Sequence, residues 1–404
     1  MRDTLAPIGV LQETAAKFKE PLSARARRWA STPRGAAWLD AVWVFLLTRV
    51  IFVAITFLTP SLFPGAGIYG AHAHGSLGWW ATQDASQFVL IAAQGYHGAW
   101  LTAYWPMMPG LMRVFAPFFG GDPRLSGLFI SNVSGFAMLV LLRRLAEREL
   151  GIETARRATL YVAVFPTAFY LFAPYAESLF LALTLGAFVA LRERRWLLAG
   201  LLGGLATLTK SNGILLAIPF ALEFYLAWRA GAARWWRAAY AALIPAGAAV
   251  FALYCWSAFG DPLAFAHAQR VWHRTAQPPW VTLADAVGGV MHPSSAGSVA
   301  SAHLLLNLAA VLLFLALLVP IFRLLPMSYG LYSAAVILYF LTFAVAGNTF
   351  ALQGDGRYVL MVFPAFMVLG ALARRRWAHD GLLVLMLPML TLLAGHYLLG
   401  LALG

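Results

Sequence analysis

The chain has 404 residues, of which 61% are hydrophobic and only 11% charged, and its formal net charge is +13. A water-soluble domain carries about a quarter charged residues, so this composition excludes an ordinary soluble protein and indicates an integral membrane protein. The basic residues cluster at the ends of apolar runs, which is typical of cytoplasmic loops, so the positive charge does not indicate a nucleic-acid partner.

Residues 1–35 are basic and polar, and we expect them to stay in the cytoplasm. Residues 36–404 are predicted to form a single all-α membrane domain, since apolar runs of helical length recur along them without the period of two that a membrane β-barrel requires. With the N-terminus inside and the C-terminus outside, the predicted spans number about eleven: 38–58, 125–145, 158–173, 178–191, 196–209, 213–229, 239–258, 302–322, 329–346, 359–373 and 381–402.

Two predicted external segments are long, residues 59–124 and 259–301. In the first, two stretches too short to span the membrane, 84–96 and 105–120, predict helices at the outer interface. Asp84 can be the N-cap of the first of these helices, with Gln87 three residues on as its capping-box partner. Alternatively, these two residues and Gln94 form a polar stripe that faces a cavity.

The other polar residues predicted on the outer side are few, and each also has a purely structural interpretation. Glu177, two residues after Tyr175, either starts a helix or contacts a substrate. Lys210 either reaches the interface with its long side chain or binds an anion. Asp355 and Arg357 either form a glycine-flanked turn or contact a phosphate or a sugar.

The stretch FGDPLAFAHAQRVWHRTAQPPW, residues 259–280, is the densest polar cluster outside the basic loops. Arg270 and Arg274 lie four residues apart, so on one helix face they would converge on one anion, and guanidinium groups bind phosphate with paired hydrogen bonds. His273 can donate to the same phosphate, and Gln269 can contact the substrate. The alternative is an arginine-rich surface helix that touches lipid head groups.

No cofactor is expected from the sequence. Cys255 is the only cysteine, so the thiols of one chain cannot build a disulfide or a zinc site. The acids predicted outside are scattered rather than paired as D-x-D, and His267 and His273 lack a metal-binding spacing. We therefore expect no divalent metal.

Several stretches between about residue 79 and residue 370 resemble the PIG-V-type membrane mannosyltransferases. They are DASQFVLIAAQGYH, AYWPMMPGLMRVF, ISNVSGFAMLVLLRRL, FPTAFYLFAPYAESLFLAL, KSNGI, GDPLAFAHAQRVWHR and GRYVLMVFPAFMVLG. The resemblance implies the GT-C fold, a polyprenyl phosphate mannose donor, catalysis on the extracytoplasmic side and Asp84 as the catalytic acid of the first external segment. The chain departs from the family pattern at Gln83, where Trp is common, and at Gln87, where eukaryotic members tend to carry His.

Together, these observations predict an inverting transferase that moves mannose from polyprenyl phosphate to a lipid or glycan acceptor in the membrane. Asp84 would deprotonate the acceptor hydroxyl on the face opposite the leaving group. A departing phosphate needs cations rather than a general acid, and Arg270 and Arg274 are the first candidates, with Lys210 and Arg357 as further contacts. The alternatives are a transporter or flippase for a polyprenyl-linked lipid, although no inverted repeat is visible, and a non-catalytic assembly subunit.

Overall fold

Helices make up nearly all of the described chain. The computed structural model describes residues 32–63, 75–292, 299–345, 351–352 and 354–401, so most of the predicted N-terminal segment lies outside it. The α-helices are α1 (Pro33–Leu62), α2 (Gly75–Gly78), α3 (Asp84–Gln94), α4 (Met107–Phe115), α5 (Pro123–Leu150), α6 (Ile152–Val164), α7 (Glu177–Arg192), α8 (Trp196–Thr209), α9 (Ala217–Arg229), α10 (Leu243–Phe259), α11 (Ala264–His267), α12 (Pro279–Met291), α13 (Val299–Leu324), α14 (Met327–Thr342), α15 (Asp355–Tyr358), α16 (Phe363–Leu372) and α17 (Arg376–Leu398).

Short 3-10 turns extend or connect these helices at Ala99–Ala103, Ala116–Phe119, Ala168–Leu171, Ser211–Leu216, Trp235–Ala242, Ala268–Trp272 and Val359–Met361. The described ranges contain no β-strand, only an isolated bridge between Arg274 and Val345. Within the described residues, each predicted span but one coincides with a helix or with a helix and an adjoining 3-10 turn, and the predicted ends at 346 and 402 lie outside these residues. The span predicted at 158–173 is interrupted, because Pro166 lacks an N–H group and keeps Phe165 out of the helical conformation.

Six helical segments are long and apolar enough to cross a membrane: Gly35–Leu62, Pro123–Leu150, Ser211–Arg229, Trp235–Phe259, Ser301–Leu324 and Arg376–Leu398. Large apolar side chains on all six are exposed, among them Val50, Leu253, Leu312 and Leu385. Such side chains suit contact with lipid. The chain is therefore a polytopic all-α membrane protein, as predicted, while the orientation, the number of crossings and the domain boundaries stay predictions.

Local sequence explains where the long helices begin and end. The side chain of Thr32 accepts a hydrogen bond from the Gly35 N–H at 3.0 Å, and Asp122 accepts one from the Arg124 N–H at 2.8 Å. A proline follows each of these N-caps, and its fixed φ suits the first helical turn. Helix α5 ends at Gly151, whose φ of +85° a side chain would disfavour.

The core of the protein lies where α5, α6, α7 and α16 pack together. Beside this core, α8 and α10 approach so closely that a Cβ atom on Gly247 would lie 2.3 Å from the carbonyl oxygen of Gly204. Small residues permit this approach, which is common between membrane helices. The packing holds the end of α8, and Lys210 follows directly after it.

The two short helices predicted in the first long segment are present. Helix α3 buries Phe88 and Ile91 against α4 and its neighbours and Ala85 against the main core, while Gln94 is exposed. Helix α4 continues into a 3-10 turn that ends before Gly120. Their position relative to the membrane stays a prediction, but α3 carries Asp84 at its start.

Candidate active site

A cavity of about 690 Å³ brings together segments that are far apart in the sequence. Its walls come from α3 and the 3-10 turn after it, the start of α7, the end of α8, the 3-10 turn after α11, α14 and α15. Predicted site residues that line it are Asp84, Tyr175, Glu177, Lys210, Gln269, Arg270, Arg274 and Arg357. A cavity of this size is in the usual range for small-molecule sites, roughly 300–1,000 Å³.

Asp84 is the first residue of α3 rather than its N-cap. The N-cap is Gln83, and no side chain caps this helix, so the capping-box interpretation is wrong. The Asp84 carboxylate is used elsewhere: Oδ1 accepts a hydrogen bond from Tyr104 Oη at 3.0 Å, and Oδ2 accepts one from Arg357 Nη1 at 2.9 Å. Gln83 has a φ of +53°, a strained conformation that costs about 1–3 kcal/mol and directly precedes the acid.

Arg357 is the centre of an ion network and is only 9% exposed. In addition to its bond to Asp84, its Nη2 donates to Tyr358 Oη at 3.1 Å, and its Nε lies 3.2 Å from Glu177 Oε1 without hydrogen-bond geometry. The guanidinium carbon is 5.3 Å from the ring centre of Tyr175. Burial by itself lowers the pKa of this guanidinium, but Tyr358, Glu177 and Asp84 raise it above its usual value, so the group stays charged.

Glu177 opens α7 and is 1% exposed. Its Oε1 accepts a hydrogen bond from Lys210 Nζ at 2.8 Å, and its Oε2 is buried without a partner among the described residues. The Lys210 side chain is 18% exposed, so it points inward to Glu177 and does not reach for the interface as one interpretation of the sequence held.

Three cations surround the ring of Tyr358, a residue that sequence reasoning missed. Lys210 Nζ lies 5.2 Å, Arg274 Cζ 5.3 Å and Arg357 Cζ 5.0 Å from the ring centre. Burial raises the pKa of the phenol, but the three cations outweigh it and leave the pKa below its usual value. Convergent positive charge of this kind is what a phosphate site requires.

Arg270 and Arg274 both line the cavity, but they are not neighbours on one helix face. The 3-10 turn that carries Arg270 ends at His273, whose φ is +53°, and the Arg274 N–H donates to the Gln269 carbonyl at 3.1 Å. Arg274 then forms the isolated bridge with Val345. The predicted helical pair is therefore wrong, because the left-handed conformation of His273 interrupts the helix between the two arginines.

Two predicted site residues whose side chains are described, Gln87 and His273, do not line the cavity. Gln87 lies one turn into α3, and its Oε1 is buried without a hydrogen-bond partner in the described part of the chain. His273 is exposed to solvent. Asp355 begins α15, but its side chain lies outside the described part. The roles predicted for all site residues stay predictions.

The structure also adds Tyr104 to the site. Burial, followed by the charge of Asp84 and the hydrogen bond to it, raises the pKa of this phenol above its usual value, so Tyr104 remains a donor to the carboxylate. Asn212 lines the cavity near Lys210, and its buried Oδ1 has no partner within the described ranges. Both residues lie in stretches that carry the family resemblance, AYWPMMPGLMRVF and KSNGI, but nothing in the sequence separates them from the other residues of those stretches.

Metal-binding groups do not gather here. Across the residues that the structure describes, no three His, Cys, Asp or Glu side chains lie close enough to hold a metal ion. His267, which lines the cavity, instead contacts Asp261 Oδ2 at 2.7 Å through Nδ1, and this hydrogen bond lowers the pKa of the Asp261 carboxyl. The expected absence of a metal remains a prediction.

Comparison with known proteins gives matches of two kinds. Residues 103–258 match a family described as dolichyl-phosphate-mannose-protein mannosyltransferase. ArnT from Cupriavidus metallidurans, solved bound to undecaprenyl phosphate, is similar in structure with a TM-score of 0.50 and 17% identity, over 85% of this chain and 62% of that one. The apo oligosaccharyltransferase from Archaeoglobus fulgidus is similar with a TM-score of 0.47 and 14% identity, over 89% of this chain and 56% of that one. No functionally curated protein matches the chain.

The likeness to ArnT shows that the chain has the GT-C fold of membrane glycosyltransferases, as predicted. The chain spans less than two thirds of the length of either structure. The family match covers less than half of the chain, and these matches do not single out the PIG-V type.

Proposed function

We propose that this protein is an inverting glycosyltransferase that moves mannose from a polyprenyl phosphate donor to a lipid or glycan acceptor on the non-cytoplasmic face of the membrane. The observation that carries the proposal is that one accessible carboxylate, Asp84, shares a cavity with a surplus of cations. The family match over residues 103–258 and the ArnT structure with its bound undecaprenyl phosphate support a donor of this class.

Asp84 is the better base of the two cavity carboxylates. Its side chain is 26% exposed, whereas Glu177 is 1% exposed and is held by Lys210 and Arg357. Each carboxylate oxygen can accept two hydrogen bonds, so each oxygen of Asp84 keeps a position for an incoming hydroxyl beside its present donor. Glu177 thus acts on the cations rather than on the acceptor.

The same difference favours inversion of the sugar. A retaining transferase of the two-carboxylate kind needs a second carboxylate that attacks the anomeric carbon. Glu177 is buried and ion-paired, and no other acid lines the cavity in the described part of the chain. One displacement in line, with Asp84 taking the proton of the acceptor, accounts for transfer without a covalent intermediate.

The charge of the cavity suits a departing phosphate. Two acids, Asp84 and Glu177, face four cations: Lys210, Arg270, Arg274 and Arg357. A phosphodiester donor carries one negative charge, while the phosphate monoester that leaves carries between about 1.5 and 2 at neutral pH. The surplus of cations therefore stabilises the charge that develops on the leaving group more than the charge of the bound donor, which lowers the barrier.

The experiment is transfer of radiolabelled mannose from polyprenyl phosphate mannose to a membrane lipid extract by the purified protein. Replacing a general base lowers the rate by about 10²–10⁴-fold, and we expect this loss in Asp84→Asn with the fold intact. Asp122→Asn is the matched control, since asparagine caps α5 as well as aspartate does. If Asp84→Asn transfers mannose as fast as wild type, Asp84 is not the general base. If folded wild type transfers no sugar from any polyprenyl phosphate sugar, the proposed function is rejected.

A further inference from the structure

The turn that precedes α3 is strained at the residue before the proposed base. Gln83 has a φ of +53° and a ψ of −131°, a conformation that glycine adopts readily and that other residues adopt only when their surroundings impose it. Asp84 follows directly, as the first residue of α3. The residues that impose this conformation therefore also set the direction in which the Asp84 side chain leaves the backbone.

Tyr397, near the end of α17, holds the turn through its hydroxyl. Its side chain is fully buried, and its Oη donates to the Trp80 carbonyl at 2.7 Å and, in a shared hydrogen bond, to the Thr82 carbonyl at 3.2 Å. These carbonyls lie four and two residues before Asp84. One hydroxyl thus binds the backbone on the N-terminal side of the strained residue at two points.

Trp80 holds the same turn from a second side. Its indole is fully buried and stacks on the ring of Tyr397 with the ring centres 5.8 Å apart, and its Nε1 donates to Thr56 Oγ1 of α1 at 2.9 Å. Helices α1 and α17 pack against each other. Because the two helices that hold the turn are in contact, their bonds to it act together.

These three side chains reach Asp84 only through the backbone, since none of them lines the cavity. The carboxylate itself is bound by Tyr104 and Arg357. Two bonds at the end of a side chain keep it in place only while its backbone is also in place. A base has to be held within a fraction of an ångström of its working position, so the turn matters for the rate as well as for the fold.

We propose that Tyr397 is a positioning residue for the proposed base: its hydroxyl keeps Gln83 at positive φ, and this conformation directs the Asp84 carboxylate into the cavity. The inference rests on the proposed function. Loss of the hydroxyl lets the φ of Gln83 return to negative values, which moves the start of α3. The ring of Tyr397 fills the core, while its hydroxyl holds the turn.

Tyr397→Phe removes the hydroxyl and keeps the ring, and Tyr161→Phe is the matched control. Tyr161 is also fully buried, and its Oη lies 2.7 Å from His379 Nδ1, away from the cavity. Because small displacements of a catalytic group are costly, we expect kcat for mannose transfer to fall by about 10–10²-fold in Tyr397→Phe, with KM for the donor nearly unchanged. Each variant loses one buried hydrogen bond, so both should lose similar thermal stability, and the control should keep its kcat.

Substitution of Gln83 separates strain from a general loss of packing. In the Tyr397→Phe background, Gln83→Gly should restore most of kcat, because glycine keeps a positive φ without help from Tyr397. Gln83→Ala removes the same side chain but still disfavours positive φ, so it should restore nothing. Thr56→Val removes the acceptor of Trp80 Nε1, should also lower kcat, and repeats the test if Tyr397→Phe does not fold.

Hydrogen–deuterium exchange of the full-length protein in lipid nanodiscs measures the turn without the reaction. The amides of Ala85 and Ser86 donate to carbonyls of the turn, and they should exchange faster in Tyr397→Phe than in Tyr161→Phe. Unchanged exchange, wild-type kcat in the folded fraction of Tyr397→Phe, or equal rates in the glycine and alanine double variants overturns the proposal. Faster exchange with no transfer by wild type would reject the proposed function, while the hold of Tyr397 on the turn would stand.

Discussion

Helix α7 carries an ion network at each end, and the two networks differ in how far their groups satisfy one another. At the far end from the cavity, Arg192 donates to Glu149 through Nε at 2.9 Å and to Glu223 through Nη1 at 3.3 Å. The hydroxyl of Tyr329 donates to Glu149 at 3.2 Å, and that of Ser328 donates to Glu223 at 2.6 Å. Each carboxylate there receives a cation and a hydroxyl, and the cavity that Asp84 lines does not reach the cluster.

At the cavity end, Glu177 has one oxygen without a partner in the described structure, and cations outnumber acids along the cavity wall. Both networks join segments that are distant in the sequence, so burial and ion pairing do not distinguish them. What distinguishes the network at the cavity end is its surplus of positive charge beside the cavity. A closed network, in which every charged group has a partner, holds helices together. A network with an unpaired carboxylate oxygen and surplus cations can bind a ligand.

After Asp84→Asn, Arg357→Lys should give the largest change at the cavity end. Lysine keeps the charge but lacks the planar fork that contacts Asp84 and Tyr358 together, so we expect kcat/KM for mannose transfer to fall by about 10²–10³-fold. Arg270→Lys is the control. Because Arg270 is exposed and has room to move, a point charge should serve nearly as well there, with a loss below about tenfold. Equal losses in both variants would mean that charge alone matters.

Gly356→Ala should displace the side chain of Arg357 while residue 357 remains an arginine. A Cβ atom on Gly356 would clash with Asn307 Oδ1. Because Asn307 Nδ2 is held by a hydrogen bond to the Leu352 carbonyl at 2.9 Å, we expect the backbone that carries the arginine to shift. Misplacement by about 1 Å can cost a factor near 10² in rate, and we expect a loss of this order in kcat. The double variant Gly356→Ala with Asn307→Ala relieves the clash and should recover most of the rate. A double variant no better than the single one would show that the clash is not the cause.

Arg192→Met should change stability but not catalysis, because the closed network has no ligand to bind. Removing one partner of a buried pair costs about 3–5 kcal/mol, and we expect about 3 or less here since Arg192 is a quarter exposed. The thermal midpoint in detergent should therefore fall by several degrees, measured against wild type. The sixteen residues of α7 separate the two ends by about 24 Å, so kcat of the folded fraction should stay at the wild-type value. A fall in kcat would mean that the two ends are coupled.

Removal of divalent cations should have the smallest effect. The cations of the site are its own lysine and arginines, and the acids that line the cavity are engaged with them. Initial transfer rates with and without a chelator, after dialysis, should be equal. If the rate falls with chelator and returns on addition of Mg²⁺ or Mn²⁺, the reaction requires a metal ion. The protein's own cations would then not be sufficient.

The sequence predicted the helices and the main charged residues of the site for the same reason. In a chain with few charges, Asp84, Glu177 and Lys210 stand out against apolar surroundings, just as the apolar runs themselves stand out as helices. Tyr104 and Tyr358 do not stand out, because the chain has 14 tyrosines and only tertiary contacts tell these two apart.

The predicted helical pair of Arg270 and Arg274 failed for a different reason. Periodicity treats every residue as helical and carries no information on the sign of φ at His273. The capping interpretation of Asp84 failed similarly, since D-x-x-Q fits a capping box only if the acid precedes the helix, and here it is already inside it. Local sequence patterns identified these residues, but they did not predict the backbone conformation that orients the side chains.

The bond between Asp84 and Arg357 has a consequence for the sequence of substrate binding. Asp84, the proposed base, and Arg357, a proposed phosphate ligand, neutralise each other at 2.9 Å. A donor phosphate would compete for the guanidinium, and an Asp84 carboxylate released from its cation would be a stronger base for the acceptor hydroxyl. We therefore expect an ordered kinetic scheme in which the donor binds first and the acceptor second. Until the donor binds, Asp84 remains paired with Arg357 and does not activate water.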